Sequence, residues 1–443
     1  MAEAFRDIAR EIEQAIVDGA LPPGERLLPQ REFAWQRKIA VSTASRVYAE
    51  LRRKRLVTGE VGRGTYVRAP TDRVPNKVAE DFVDLETNFP IMARQGELLA
   101  KSLVSVCTAT ALNQSLGSPR AAFVNRARQI AATFLAREGW SPQADNIVFA
   151  GNGREALAVA FATLARRGDR VGVETITYLC VKDVAAWAGL ELVPLALDNE
   201  GVTPDAIVRA KRDHGIAAVY LQPSLHNPLG VTMSTARRQA IATVLQREGI
   251  MAIEDAVNSF LADAVPLAAF APLHTVLVES LSKRIAPSLT AGIIVVPPHL
   301  CDTTRNVARI ASWSASGWML SAATKLMEDG TAARLAELKR HDAAERQAIA
   351  RRVLGDMVIV GDARAYHLWL ELPKPWRAEV FAAAAAQRGI ALTPASYFAV
   401  GEGHAPSALR ITLGTPPIDV LERALSDIVA LSCLDPAGLA GSL

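Results

Sequence analysis

Between residues 146 and 297, seven short apolar runs alternate with stretches of helical character. This alternation restricts the fold more than any other property of the chain. The runs are NIVFA (146–150), RVGVE (170–174), ELVPLAL (191–197), AAVYLQP (217–223), IMAIED (250–255), TVLVES (275–280) and GIIVVP (292–297). Several are apolar throughout, as expected of strands covered on both faces. Stretches such as EALAVAFATLARRG between them have helical spacing. The pattern predicts an α/β domain with a seven-stranded, mostly parallel sheet and helices on both faces. Ligands of such sheets lie at the carboxyl ends of the strands.

Residues able to do chemistry fall at those ends. Gly151-Asn152-Gly153 follows the first run and opens a helix. Glycine-lined backbone at a helix N-terminus suits a phosphate, although a tight turn alone would also account for GNG. Tyr178 follows the second run, His226-Asn227-Pro228-Leu229-Gly230 the fourth, and Asp255 closes the fifth. Ser280, Ser282 and Lys283 come at the end of the sixth. Singly, these read as a surface lysine, a capping aspartate and a structural Asn-Pro turn. At one edge of one sheet they read as a site. Farther on, MVIV, YHLWLEL and LRITLG, with FAAAAAQRG among them, predict a smaller α/β domain closing over the cleft. Trp313 and Trp318, in SWSASGWML, could line an interface or the cleft, and core packing is the expectation.

The first seventy residues follow another pattern. Phe5, Ile8, Ile12, Ala15 and Ile16 recur at helical spacing, and LPPG then imposes a turn. Pro29 to about Arg37 reads as a second helix and about Ser42 to Arg53 as a third, with Ser42 able to cap it. Leu56 to Val67, carrying three glycines, reads as a two-stranded wing. The net charge of +3 conceals an asymmetry: residues 37–68 hold nine basic and two acidic residues. Such a patch is the footprint expected for phosphate contacts, while a solvated face is the commoner fate of a charge run. RAPTDRVPNKVAEDF (68–82) is polar and proline-punctuated, the composition of a linker.

These boundaries divide the chain into a winged helix-turn-helix at 1–68, a linker at 69–82, and a domain at 83–443 with a large part to about 330. No apolar run approaches membrane-span length, and MAEAFRDIAR lacks the apolar core of a signal peptide. The expectation is a cytoplasmic protein. Cys107, Cys180, Cys301 and Cys433 are scattered without a CxxC, which fits reduced thiols and predicts neither disulfides nor a metal site.

On ALPPGERL, LPQREFA, SRVYAEL and GEVGRGTYV, residues 5–67 resemble the DNA-binding domain of the GntR family. The resemblance implies that Arg31 opens the second helix at the DNA and that the third helix enters the major groove. It also implies that Arg63, Gly64 and Thr65 meet the backbone or minor groove. Ser42, Thr43, Ser45 and Arg46 are then the candidates on the third helix, Arg46 being able to pair bidentately with guanine. Ala40 stands where the family often has a capping serine, while Tyr48 and Leu51 are expected in the core.

The order of the strand-end residues resembles fold-type I pyridoxal-phosphate enzymes, the class I and II aminotransferases, over about 83–435. By that resemblance Lys283 would form the Schiff base with pyridoxal 5'-phosphate and Asp255 would pair with the ring nitrogen. Asn227 would bond the ring hydroxyl, and Tyr178 would pack on the ring. Gly153, Arg154, Ser280 and Ser282 would surround the phosphate, and Arg410 in ALRITLG would hold an effector or substrate carboxylate. The two domains together resemble MocR-like regulators of the GntR family, and both resemblances imply a homodimer.

Three positions depart from the family pattern. Asn258 replaces a tyrosine that touches the cofactor hydroxyl, Thr290 replaces an arginine that clamps the phosphate, and Gly153-Arg154 replaces a Ser-Gln pair. Arg154 and Arg284 are both candidates for restoring the lost charge. These departures favour a regulator that senses pyridoxal phosphate or an amino compound through Lys283, with double-stranded DNA as partner, over a working aminotransferase. A third reading is an effector domain that has lost the cofactor.

Overall fold

The computed structural model describes residues 4–18, 20–21, 25–54, 56–60, 64–67, 82–117, 119–401 and 405–436. The expected linker lies outside the described residues except for Phe82, as does Arg63.

Three helices, Ala4–Val17, Gln30–Gln36 and Val41–Arg53, enclose a small core of Ala9, Ile12, Ile16, Phe33, Val47, Tyr48 and Leu51. Tyr48 is buried apart from the needs of its hydroxyl, which donates to the Leu28 carbonyl at 2.6 Å. Two expectations are corrected. The third helix starts at Val41 with Ala40 at its N-cap and no side-chain cap bond, so Ser42 lies within the first turn. The wing is three-stranded: Gly64–Val67 is flanked by Val57–Glu60 and by Arg26–Leu27, both antiparallel to it.

The large domain carries the seven-stranded sheet. Its spatial order is Ile147–Ala150, Gly292–Val295, Thr275–Ser280, Met251–Asp255, Ala218–Leu221, Arg170–Glu174 and Glu191–Leu195. Gly292–Val295 is antiparallel to both neighbours and the remaining pairs are parallel. The ELVPLAL run is split: Glu191–Leu195 joins this sheet, while Leu197–Asp198 makes a separate ribbon with Gly201–Val202. Strands such as Thr275–Ser280 are buried at every position, because apolar clusters cover both faces. Trp313 and Trp318 are half-buried rather than in the core, and the Trp313 ring lies 5.1 Å from that of exposed Trp187.

The 24-residue helix Thr331–Leu354 leads into a four-stranded antiparallel sheet of Ile359–Val360, His367–Glu371, Ala408–Thr412 and Thr393–Pro394. The segment that follows the linker joins this part of the fold: Val83–Asp84 pairs parallel with Ile390–Ala391. From there residues 85–90 run as a strap that bonds Ala391 and Thr412 through Leu85, Arg410 through Glu86 and Lys283 through Asn88. Among the described residues no helix is long and apolar enough to cross a membrane.

Candidate functional site

The carboxyl ends of the central strands open into a cavity of about 290 Å³. Gly153, Arg154, Tyr178, Asp255, Ser280, Ser282 and Lys283 line it, together with Phe89, Asn152, Leu157, Val257 and Pro287. The fold thus brings seven of the sequence candidates to one pocket. Asn227, Asn258 and Arg410 are not among the lining residues. Asn258 turns its amide nitrogen to the Leu225 carbonyl at 3.4 Å, and Asn227 accepts from Arg410 at 3.3 Å.

Asp255 ends its strand deep in this cavity. Its carboxylate accepts the Tyr220 hydroxyl at 2.7 Å and the Val257 N–H at 3.2 Å. Burial nevertheless raises its pKa to about 6, so it is poised to take a proton or to pair with a cationic ring nitrogen.

Lys283 sits on the one-turn helix Leu281–Arg284. Its Nζ donates to the Asn88 carbonyl at 2.5 Å and lies 3.6 Å from the centre of the Phe89 ring. Withdrawal from water pushes the ammonium pKa down to about 7, and Arg410 and Arg154 push the same way. An amine that is half neutral at pH 7 is a nucleophile for carbonyl groups. Its reaction with an aldehyde should therefore quicken only about tenfold from pH 6 to pH 8, where an ordinary lysine would quicken about a hundredfold. Reductive methylation of Lys283, followed by mass spectrometry over that range, checks the slope.

The opposite end of the cavity suits an anion. The helix Gly153–Leu164 starts there, with Asn152 capping the Arg154 and Glu155 N–H groups. A Cβ on Gly153 would come within 2.8 Å of the Ser280 hydroxyl, so glycine lets the helix end meet the lysine-bearing strand. Thr290, which the resemblance sets at the position of a phosphate-clamping arginine, is buried, and its hydroxyl bonds that of Ser282 at 2.9 Å. The two arginines weighed as replacements separate cleanly. Arg284 is buried against Glu279 at 2.9 Å and lies between the Phe134 and Phe260 rings, away from the cavity. Arg154 lines the cavity beside Tyr178, whose phenol is held at a pKa of about 12 by burial.

Arg410 is buried on the strand Ala408–Thr412. It donates to the Thr393 hydroxyl at 3.1 Å and the Glu86 carbonyl at 2.5 Å, while its Nε has no partner. Burial lowers its pKa to about 10, and an unpaired buried guanidinium nitrogen invites an anion. Nearby, His367 Nε2 donates to the His226 carbonyl at 2.9 Å, and its Nδ1 faces the Asn88 amide at 3.5 Å. Burial keeps the His367 ring neutral, with a pKa of about 3.

An amine, a carboxylate and an anion cradle around one pocket suit an aldehyde with a basic ring nitrogen and a phosphate. Sequence reasoning missed Asn88 and Phe89, which lie beyond the strand ends that guided the search. It also missed Tyr220, whose place inside an apolar strand gave no polar signal.

On the N-terminal domain, Arg31, Ser42, Ser45 and Arg46 are exposed, and Thr43, Gly64 and Thr65 are partly so. With no side chain capping Val41–Arg53, the free N–H groups of its first turn are open to phosphate.

Residues 95–428 match the family of class I and II aminotransferases, and residues 5–67 match the bacterial regulatory proteins of the gntR family. The chain is 28% identical to the HTH-type transcriptional regulator YdeF of Bacillus subtilis over 95% of its own length and 92% of the relative. It is 26% identical to the vitamin B6 salvage pathway transcriptional repressor PtsJ of Salmonella typhimurium, covering 95% of this chain and 97% of PtsJ. Among solved structures, the multiple substrate aminotransferase of Thermococcus profundus superposes with a TM-score of 0.72 at 18% identity, covering 80% of this chain and 92% of that one. That last likeness concerns the fold alone. A gntR-type head joined to an aminotransferase fold, over a length shared with transcriptional regulators, fixes the family: the chain belongs to the class I and II aminotransferases over residues 95–428 and carries a gntR-family DNA-binding domain, the build of the MocR-like regulators of the GntR family.

Proposed function

We propose that this regulator reads pyridoxal phosphate, or an amino compound joined to it, through Lys283 and passes the result to its DNA-binding domain along the strap at residues 85–90. One observation carries the reading. Lys283, which lines the cavity, and Arg410, whose Nε is buried without a partner, both hold backbone carbonyls of the strap, Lys283 that of Asn88 and Arg410 that of Glu86. The strap leads directly back to the linker. A Lys283 amine bonded to an aldehyde gives up the Asn88 carbonyl, and a ligand carboxylate competes with Glu86 for Arg410. Occupancy thus changes what tethers the segment between the two functions.

Bound pyridoxal phosphate would supply an electrophilic aldehyde and an electron-accepting ring. Lys283 meets the aldehyde, Asp255 the ring nitrogen, Tyr178 the ring face, and Arg154, the Gly153 N–H and the Ser280 and Ser282 hydroxyls the phosphate. PtsJ, named for the vitamin B6 salvage pathway, supports the choice of ligand. Exposed Val104, Leu116, Trp187 and Ile310 supply apolar surface for pairing two copies, and a homodimer reads two half-sites.

The test uses operator DNA selected from random sequence and the full chain. Adding pyridoxal phosphate should speed hydrogen exchange at residues 85–90 and shift operator affinity by about 5- to 150-fold. Arg46→Ala should weaken operator binding in both states, by about 1–3 kcal/mol if it contacts a base. Unchanged exchange and unchanged affinity on ligand addition would sink the reading. A second reading, a working aminotransferase, is favoured by the near-neutral Lys283 amine. Release of a keto acid from an amino-donor panel would carry it.

A further inference from the structure

Lys339 lies about a third of the way along the helix Thr331–Leu354 and is buried. Its Nζ donates to the carbonyl of Lys283 and to that of Ile285, each at 2.9 Å. Those carbonyls are the ones a single-turn helix leaves without internal partners at its C-terminal end. Gln95 adds a second donor to the Ile285 carbonyl at 3.0 Å. No carboxylate lies within ion-pair distance of Lys339 among the described residues, and Asp342, one turn along the helix, is the acid whose field reaches it. A buried ammonium held by neutral carbonyls, with no carboxylate paired to it, is costly. The cost falls directly beneath the one residue of the cavity that reacts.

We propose that Lys339 is a positioning residue for Lys283: it fixes the end of the lysine-bearing turn and so sets where the Lys283 amine stands in the cavity. The inference rests on the reading of Lys283 as the reactive group. Lys339 also acts through its charge. The Lys283 amine shares the cavity with Arg154 and Asp255 and also feels the fields of Arg410 and Lys339, and three of these four disfavour its protonated form. A second cation beside a lysine is a known way to keep an amine nucleophilic at neutral pH.

The same helix spans the two sheets. Arg340 donates to the Phe260 carbonyl at 2.7 Å, Gln347 to the His367 carbonyl at 3.0 Å, and Arg346 to the Leu413 carbonyl at 2.7 Å. Lys339 therefore references the reactive turn to an element that both parts of the fold share.

The test compares the full chain with Lys339→Gln, which keeps a donor and removes the charge, and with Lys339→Arg, which keeps both. Two readouts are taken across pH: reductive methylation of Lys283 by formaldehyde and borohydride, and uptake of pyridoxal phosphate by its visible band. In Lys339→Gln the labelling midpoint should rise by roughly a few tenths of a pH unit, so that labelling at pH 7 falls about 1.5- to 2-fold. Lys339→Arg should recover most of the loss. Melting temperature, measured alongside, reports the structural part. Labelling in Lys339→Gln with the original midpoint and rate, whatever the melting temperature, overturns the proposal. If Lys339→Gln does not fold, Lys339→Met, which fills the same space without the charge, is read in its place: a raised midpoint supports the proposal and an unaltered midpoint overturns it. A wild type that ignores pyridoxal phosphate while its labelling midpoint still depends on residue 339 would remove the functional reading and leave this one standing.

Discussion

Lys283→Ala protein mixed with pyridoxal phosphate is expected to stay colourless, and its operator affinity is expected to ignore the compound at every concentration. The wild type should turn yellow and respond. The variant loses the only amine lining the cavity, and no neighbouring group can replace it as a carbonyl acceptor. Lys339 points the other way, its Nζ committed to two carbonyls. The variant also loses the bond to Asn88 and the cation over Phe89. Its strap should therefore exchange hydrogen faster without ligand, and its basal operator affinity should lie towards the liganded value of the wild type. Visible absorbance and fluorescence anisotropy with labelled operator measure both parts. A variant that still takes on colour, or still responds, would place the reactive group elsewhere.

Exchanging Arg154 and Arg284 in turn for methionine should separate binding from folding. Arg154→Met removes the guanidinium that lines the cavity, and charged hydrogen bonds are worth roughly 1.5–3 kcal/mol, so pyridoxal phosphate should bind about 10- to 100-fold more weakly. Melting should barely change, because Arg154 is exposed. Arg284→Met should do the reverse. It strands the Glu279 carboxylate, which is fully buried and paired with Arg284 at 2.9 Å. Breaking such a pair costs about 3–5 kcal/mol. The protein that survives should bind the compound almost as well as before. Titration of the visible band and thermal melting, run on both variants, would reverse the assignment if Arg284→Met proved the weaker binder.

The sheet was legible because its strands are apolar on both faces and end where polar residues begin. Lys283 and Asp255 stood out for the same reason. The choice between Arg154 and Arg284 was not legible: each adjoins a site residue in sequence, and only packing decides that one faces the cavity and the other faces Glu279. Arg26–Leu27 carries too few residues for a period, so the third strand of the wing left no trace. Lys339 sits in ELKRHD, which reads as a solvated helix face. Its partners are main-chain carbonyls, and those are common to every residue type. The same holds for the strap, where Lys283 and Arg410 grip backbone rather than side chains.

Where enzymes of this fold clamp the phosphate with an arginine, this chain has Thr290 holding the hydroxyl of Ser282. A receptor filled at every concentration met in the cell carries no information about that concentration. A grip eased by one guanidinium moves half-saturation upward, into the range over which supply rises and falls. On the proposed reading the threonine would set the gauge, trading permanence of occupancy for a reading that can change.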